Sequence, residues 1–134
     1  MWKREDMQPI NPGALAVPRG YSHGMLRGGR ILFVAGQIGW TATAELVSDR
    51  FVDQFDQALA NLLAVVSEAG GTADTIGRLT IFVVDKTEYL DAQEEIGERY
   101  RARMGRHYPA MTLVEVKSLL EAGAKVEIEA TAVI

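Results

Sequence analysis

The 134 residues contain no cysteine, which excludes disulfides, thiolate nucleophiles and every zinc site built on sulfur. Histidine is scarce as well. His23 and His107 stand far apart and read better as hydrogen-bonded or surface residues than as metal ligands. An excess of positive charge is also missing, since the formal net charge is -4. Binding to a phosphate backbone depends on Lys and Arg displacing counterions, so nucleic acid is not the expected partner. No apolar run approaches the roughly 20 residues that span a bilayer. The opening MWKREDMQPINPG has no apolar stretch of the secretory kind, so a cytoplasmic protein without a membrane partner is expected. The G-x-S-x-G elbow, Walker loop, Rossmann glycines and H-E-x-x-H are all absent.

What is present is an ordinary globular balance, 48% hydrophobic and 24% charged, on a length that suits one domain over residues 1–134. YSHGMLRGGRILFVAG, from Tyr21 to Gly36, predicts two strands around a Gly28-Gly29 hairpin turn. Ile31 to Ala35 is apolar at every position, as in a strand covered on both faces. Phe51, Phe55, Leu59, Leu62 and Val66 share one face of a helix over Asp49 to Ala69, with Ser48 or Asp49 as its cap and Gly70-Gly71 as its end. RLTIFVVD, from Arg78 to Asp85, reads as a buried strand. Tyr89, Gln93, Ile96, Tyr100 and Met104 predict a second helix, with Thr87 as a cap. Its run of Arg99, Arg101, Arg103 and Arg106 follows Glu94, Glu95 and Glu98, the charge order a solvated helix prefers.

Two further strands are expected, Met111 to Ser118 and Lys125 to Val133. Alternation in the last sets Val126, Ile128, Ala130 and Ala132 against Glu127, Glu129, Thr131 and Val133. The order β-β-α-β-α-β-β implies an α+β fold with a mixed sheet, and such helices usually cover one face only. The other face of an apolar strand then needs a second subunit. Trp2 and Trp40 could stack on a ligand, but packing is the simpler reading. Glu127 lies mid-strand between apolar neighbours. It is an acid or base if its face is enclosed and a solvated glutamate if not, and alternation by itself favours the solvated case.

Tyr21-Ser22-His23-Gly24, the ILFVAGQIG segment, Asn61 in ALANLLAVVSEAG, the FVVD strand end, Pro109-Ala110 and the closing VEIEATAV together resemble the RidA (YjgF) family, over about Asn11 to Val133. The resemblance implies a chorismate-mutase-like fold, with two helices on one face of a mixed sheet. It also implies a homotrimer with ligand sites between subunits, and hydrolysis of reactive imines and enamines to a keto acid and ammonia without metal or cofactor. By position, it makes Glu127 the catalytic residue that directs water. Tyr21, Gly36, Gln93, Met111 and Leu113 become the substrate-binding positions. Gln93 stands for an asparagine, and Leu113 where cysteine is frequent.

Met111 is the main departure, because the family pattern has an arginine there that grips the substrate carboxylate. A guanidinium offers a permanent charge and a fork of donors; a thioether offers neither. Two readings follow. One is a RidA-like deaminase whose small-molecule substrate lacks the carboxylate or binds it through Arg19, Arg101 or a residue of the neighbouring subunit. The other is a non-catalytic small-molecule-binding or chaperone-like trimer. The ribonuclease role once ascribed to relatives is disfavoured by the acidic charge balance.

Overall fold

The structure, a computed structural model, describes residues 6–134. Trp2 lies outside the described residues. Ten elements follow one another: β1 (Gln8–Ile10), β2 (Gly24–Leu26), β3 (Ile31–Gln37), α1 (Phe51–Glu68), a 3-10 turn (Ala73–Thr75), β4 (Ile76–Val83), α2 (Lys86–Asp91), α3 (Gln93–Met104), β5 (Ala110–Glu115) and β6 (Val126–Val133). The main sheet has the order β3-β6-β4-β5, with β4 and β5 parallel and the other pairs antiparallel. The fold is the expected α+β arrangement with a mixed sheet.

Helix α1 buries Phe51, Phe55, Leu59, Leu62 and Val66, the face that the spacing predicts. They pack on the inward residues of β4 (Leu79, Ile81, Val83) and β6 (Val126, Ile128, Ala130, Ala132), while α3 adds Ile96, Tyr100 and Met104 to the same core. Both helices therefore lie on one face of the sheet. Gln54 is the fully buried polar exception in α1. Its Nε2 donates to the carbonyls of Ser48 (2.9 Å) and Gly123 (3.1 Å), and its Oε1 accepts from the Lys125 amide (2.8 Å). Three backbone groups thus satisfy a side-chain amide that is fully buried and would otherwise be unmet.

Several local expectations are corrected. Gly28-Gly29 does not turn a hairpin: β2 pairs with β1, which the sequence reading had not identified, and β3 pairs with β6. The glycine pair instead carries the chain from the small sheet to the large one. A Cβ on Gly29 would meet the Ile134 carbonyl at 2.8 Å, and Arg30 and Ile134 exchange backbone hydrogen bonds beside it. The cap of α1 is Arg50, without a side-chain hydrogen bond; Ser48 Oγ accepts from the Arg50 amide and donates to Asp53. The second helix is broken at Ala92 into α2 and α3, and Asp85, not Thr87, caps it by accepting from the Thr87 amide. Strand β5 ends at Glu115, three residues before Ser118.

Strand β3 is not covered on both faces within one chain. Val34 is buried against α1, yet Ile31 and Phe33 are 63% and 78% exposed on the other side. Glu127 and Gly36, two of the candidate site positions, lie on that uncovered face.

Candidate functional site

Glu127 pairs with Phe82 of β4 and points to the uncovered face, since its neighbours Val126 and Ile128 fill the core. Opposite it, β3 slips register between Val34 and Gln37: three steps along β3 match two along β6, from Ala130 to Ile128. Such a bulge bends the strand and re-aims its backbone. It brings Gly36 directly under the carboxylate, so that a Cβ there would lie 2.6 Å from Oε1 of Glu127 and 2.9 Å from Cδ. Only glycine leaves that space. The Glu127 carboxylate has no hydrogen-bond partner among the described residues.

Met111 points the other way. It pairs with Leu79, which is buried under the helices, so Met111 sits on the helix-covered face at the sheet edge. There it lines a cleft of about 480 Å³, within the size range of small-molecule sites. Gln93 lines the same cleft from the first turn of α3, and Arg19, Tyr89, Arg101 and Tyr108 contribute to its walls. In the cleft wall, Tyr100 and Tyr108 stack with centroids 5.6 Å apart, and Tyr100 Oη donates to the His107 carbonyl at 2.6 Å. Burial pushes the Tyr100 phenol well above its ordinary range, so it acts as a neutral donor.

The six positions singled out from sequence thus fall into separate groups. Glu127 and Gly36 meet on the open face; Met111 and Gln93 meet in the cleft on the covered face. Leu113 follows Met111 on the covered side, pairing with Ile81 and packing on the core without lining the cleft. Tyr21 adjoins the cleft through Gly20, and its ring meets His23 edge-on at 5.4 Å. The two histidines are hydrogen-bonded: Nε2–H of His23 donates to the Ala16 carbonyl and that of His107 to the Ile76 carbonyl, each at 2.7 Å. Among the described residues no group of three or more His, Asp or Glu is placed to hold a metal, and no helix is long and apolar enough to cross a membrane.

Tyr89, Tyr108 and Gly97 also line the cleft, although the family pattern does not point to them. The available signal was Gln93, Gly97 and Arg101 at spacings of four, a stripe on one side of α3. The arginines there divide by function. Arg99 and Arg103 bind Asp56 of α1 at 3.1 and 2.6 Å, while Arg50 binds Glu95 at 2.8 Å. The solvated-helix reading therefore holds for the charge order, but two of its bases tie α3 to α1.

Comparison with known proteins agrees with this architecture. The chain is 37% identical over 129 residues to the RutC family protein y4sK of Sinorhizobium fredii, covering 92% of this chain and 95% of that one. It is 28% identical over 123 residues to the 2-iminobutanoate/2-iminopropanoate deaminase of Homo sapiens, covering 91% and 83%. The crystal structure of YyfB, a protein of the conserved Rid family from Yersinia pestis, superposes with a TM-score of 0.81 at 34% identity, covering 96% and 99%. The family model described as Endoribonuclease L-PSP matches residues 12–134, and with these likenesses the chain belongs to that family, the YjgF/RidA/RutC proteins.

Proposed function

We propose that the protein is a RidA-like hydrolytic deaminase of a reactive imine or enamine metabolite, with substrate recognition altered by Met111. The observation that carries the reading is Glu127, an unpartnered carboxylate held against the bare backbone of Gly36. A carboxylate so placed can accept a proton from water as the water attacks the C=N carbon. That proton passes to the imine nitrogen to give a carbinolamine. Transfer of the remaining hydroxyl proton to nitrogen as the C–N bond breaks leaves C=O and releases ammonia, so both protons of the water depart with the nitrogen. The human relative is named for this kind of reaction on 2-imino acids.

The reading includes a homotrimer with the site between copies. Glu127 and Met111 occupy opposite faces of one sheet, so a single chain cannot direct them at one ligand. A second copy laid on the open face would cover Ile31 and Phe33 and carry Glu127 toward a neighbouring cleft. The same face holds Arg27, whose Nε is buried without a partner among the described residues, a cost that a docked copy could remove. The endoribonuclease wording of the family model draws no support from a chain of net charge -4.

The test generates 2-iminopropionate in situ with an amino-acid oxidase and follows its decay. The protein accelerates hydrolysis, Glu127→Gln loses roughly 100-fold or more of that acceleration, and Met111→Arg increases it for this small substrate. The second reading, a non-catalytic small-molecule-binding or chaperone-like trimer, is favoured by Met111 itself. It prevails if neither the native protein nor Met111→Arg accelerates the reaction.

A further inference from the structure

Arg101 differs from its neighbours on α3. Arg99 and Arg103, two residues to either side, are engaged by Asp56 of α1. Arg101 lies about 200° around the helix from each, lines the cleft, and has no ion pair or hydrogen bond among the described residues. One turn earlier is Gly97, also in the cleft wall. Glycine inside a helix weakens it relative to alanine, and here a Cβ would stand 3.0 Å from Nη1 of Arg101. Helical side chains lean toward the N-terminus. The Arg101 guanidinium therefore lies back over Gly97, toward Gln93, in space that any other residue would contest.

Arg19 lines the same cleft from the loop before β2 and is equally unpaired among the described residues. That loop is fixed on both sides of it. The His23 amide donates to Asn11 Oδ1 at 2.8 Å, and the His23 ring holds the Ala16 carbonyl. Ser22 donates through Oγ to the Tyr108 carbonyl at 2.7 Å and through its amide to the Pro109 carbonyl at 3.0 Å. Besides the two arginines, the cleft lining is largely apolar and aromatic, with Met111, Ile96, Phe55 and Tyr108 in its walls. Two free cations at a greasy cleft suit an anion with an apolar body.

We propose that Arg19 and Arg101 form a carboxylate anchor displaced from position 111, and that the ligand is a 2-imino acid with a bulky apolar or aromatic side chain. The carboxylate is held by the arginines, and the side chain packs on Met111 and the tyrosine wall. A small 2-imino acid has no side chain to pack on that wall and is held more weakly. Only the imine group in this proposal rests on the deaminase reading; recognition of carboxylate and side chain does not.

The test is calorimetric titration of the full chain with phenylpyruvate, the stable keto acid that hydrolysis of such an imine would release. Pyruvate, phenylacetone and inorganic phosphate serve as comparators. Phenylpyruvate binds saturably; Arg19→Ala and Arg101→Ala each weaken it by roughly tenfold or more, and pyruvate and phenylacetone bind at least about tenfold more weakly. Gly97→Ala raises the melting temperature yet weakens binding, and it adds nothing to the loss in Arg101→Ala. The proposal is overturned if phenylpyruvate does not bind, if both arginine variants bind it unchanged, if phenylacetone binds as well, or if phosphate displaces it at equal concentration. Arginine-dependent binding in a protein inert toward imines would sink the deaminase reading alone, whereas turnover with arginine-independent binding would sink this one alone.

Discussion

The two faces of the main sheet are built from the same strands and have opposite characters. Toward the helices, Leu79, Ile81, Val126 and Ile128 meet Leu59, Leu62 and Val66 in a core whose buried polar side chain, Gln54, has its partners met. Away from the helices, Ile31 and Phe33 are exposed, Glu127 is unpartnered and Arg27 Nε is buried unmet among the described residues. Alternation along a strand makes this division possible, since adjacent residues answer to different surroundings. The covered face holds the chain together, and the open face carries groups whose requirements one chain does not meet.

The largest effect expected is on the covered face. Leu59 is fully buried, so Leu59→Ala leaves a cavity and lowers the unfolding free energy by about 3 kcal/mol, as read from denaturant melts. Gln54→Leu fills the same space but takes the side-chain partner from three backbone groups. It should cost about 2 kcal/mol or more with no cavity, which separates polar satisfaction from packing in the same melts.

Phe33→Asp breaks the comparison from the other side. With Phe33 78% exposed, a charge there leaves the single chain folded and destroys the proposed assembly. Light scattering would then report a monomer where the proposed assembly of the native chain is a trimer, while circular dichroism stays unchanged. An assembly that survives the substitution would mean that the open face is not the contact.

The smallest effect concerns the link between the helices. The hydrogen bond from Arg103 is the main cause that holds the Asp56 carboxyl below its ordinary range, with Arg99 adding to it and burial opposing it. A depressed folded-state value stabilises above the unfolded value and ceases to do so as pH falls through the folded one. Native protein should therefore exceed Asp56→Asn in stability by about 1 kcal/mol, evenly from pH 8 down to about pH 4, with the gap closing below that. A gap that closes on raising the pH would show that the pair acts otherwise.

Legibility from sequence followed the range of the interaction. Strand β6 and helix α1 are apparent because periods of two and 3.6 survive along them, and their buried faces are the ones the patterns assign. The break at Ala92 is not apparent, because Tyr89, Gln93 and Ile96 keep helical spacing across it. The Gly28-Gly29 dipeptide suits a hairpin, but pairing of β2 with β1 and of β3 with β6 overrides that preference. The family resemblance identified Glu127 and Gly36 separately. Their meeting depends on a bulge in β3, which no local pattern announces.

The sequence alone determined that α1 is a helix and that β4 and β6 are strands, with the inward faces of α1 and β6, because those follow from short-range periodicity. The choice of Glu127 as the candidate acid came from the family resemblance, not from pattern. Tertiary structure alone decided that Met111 and Glu127 face opposite ways and that Arg19 and Arg101 share a cleft. Strand register fixes the first and the docking of α3 beside a pinned loop fixes the second. Both are set by contacts between residues distant along the chain, where neither spacing nor propensity carries information.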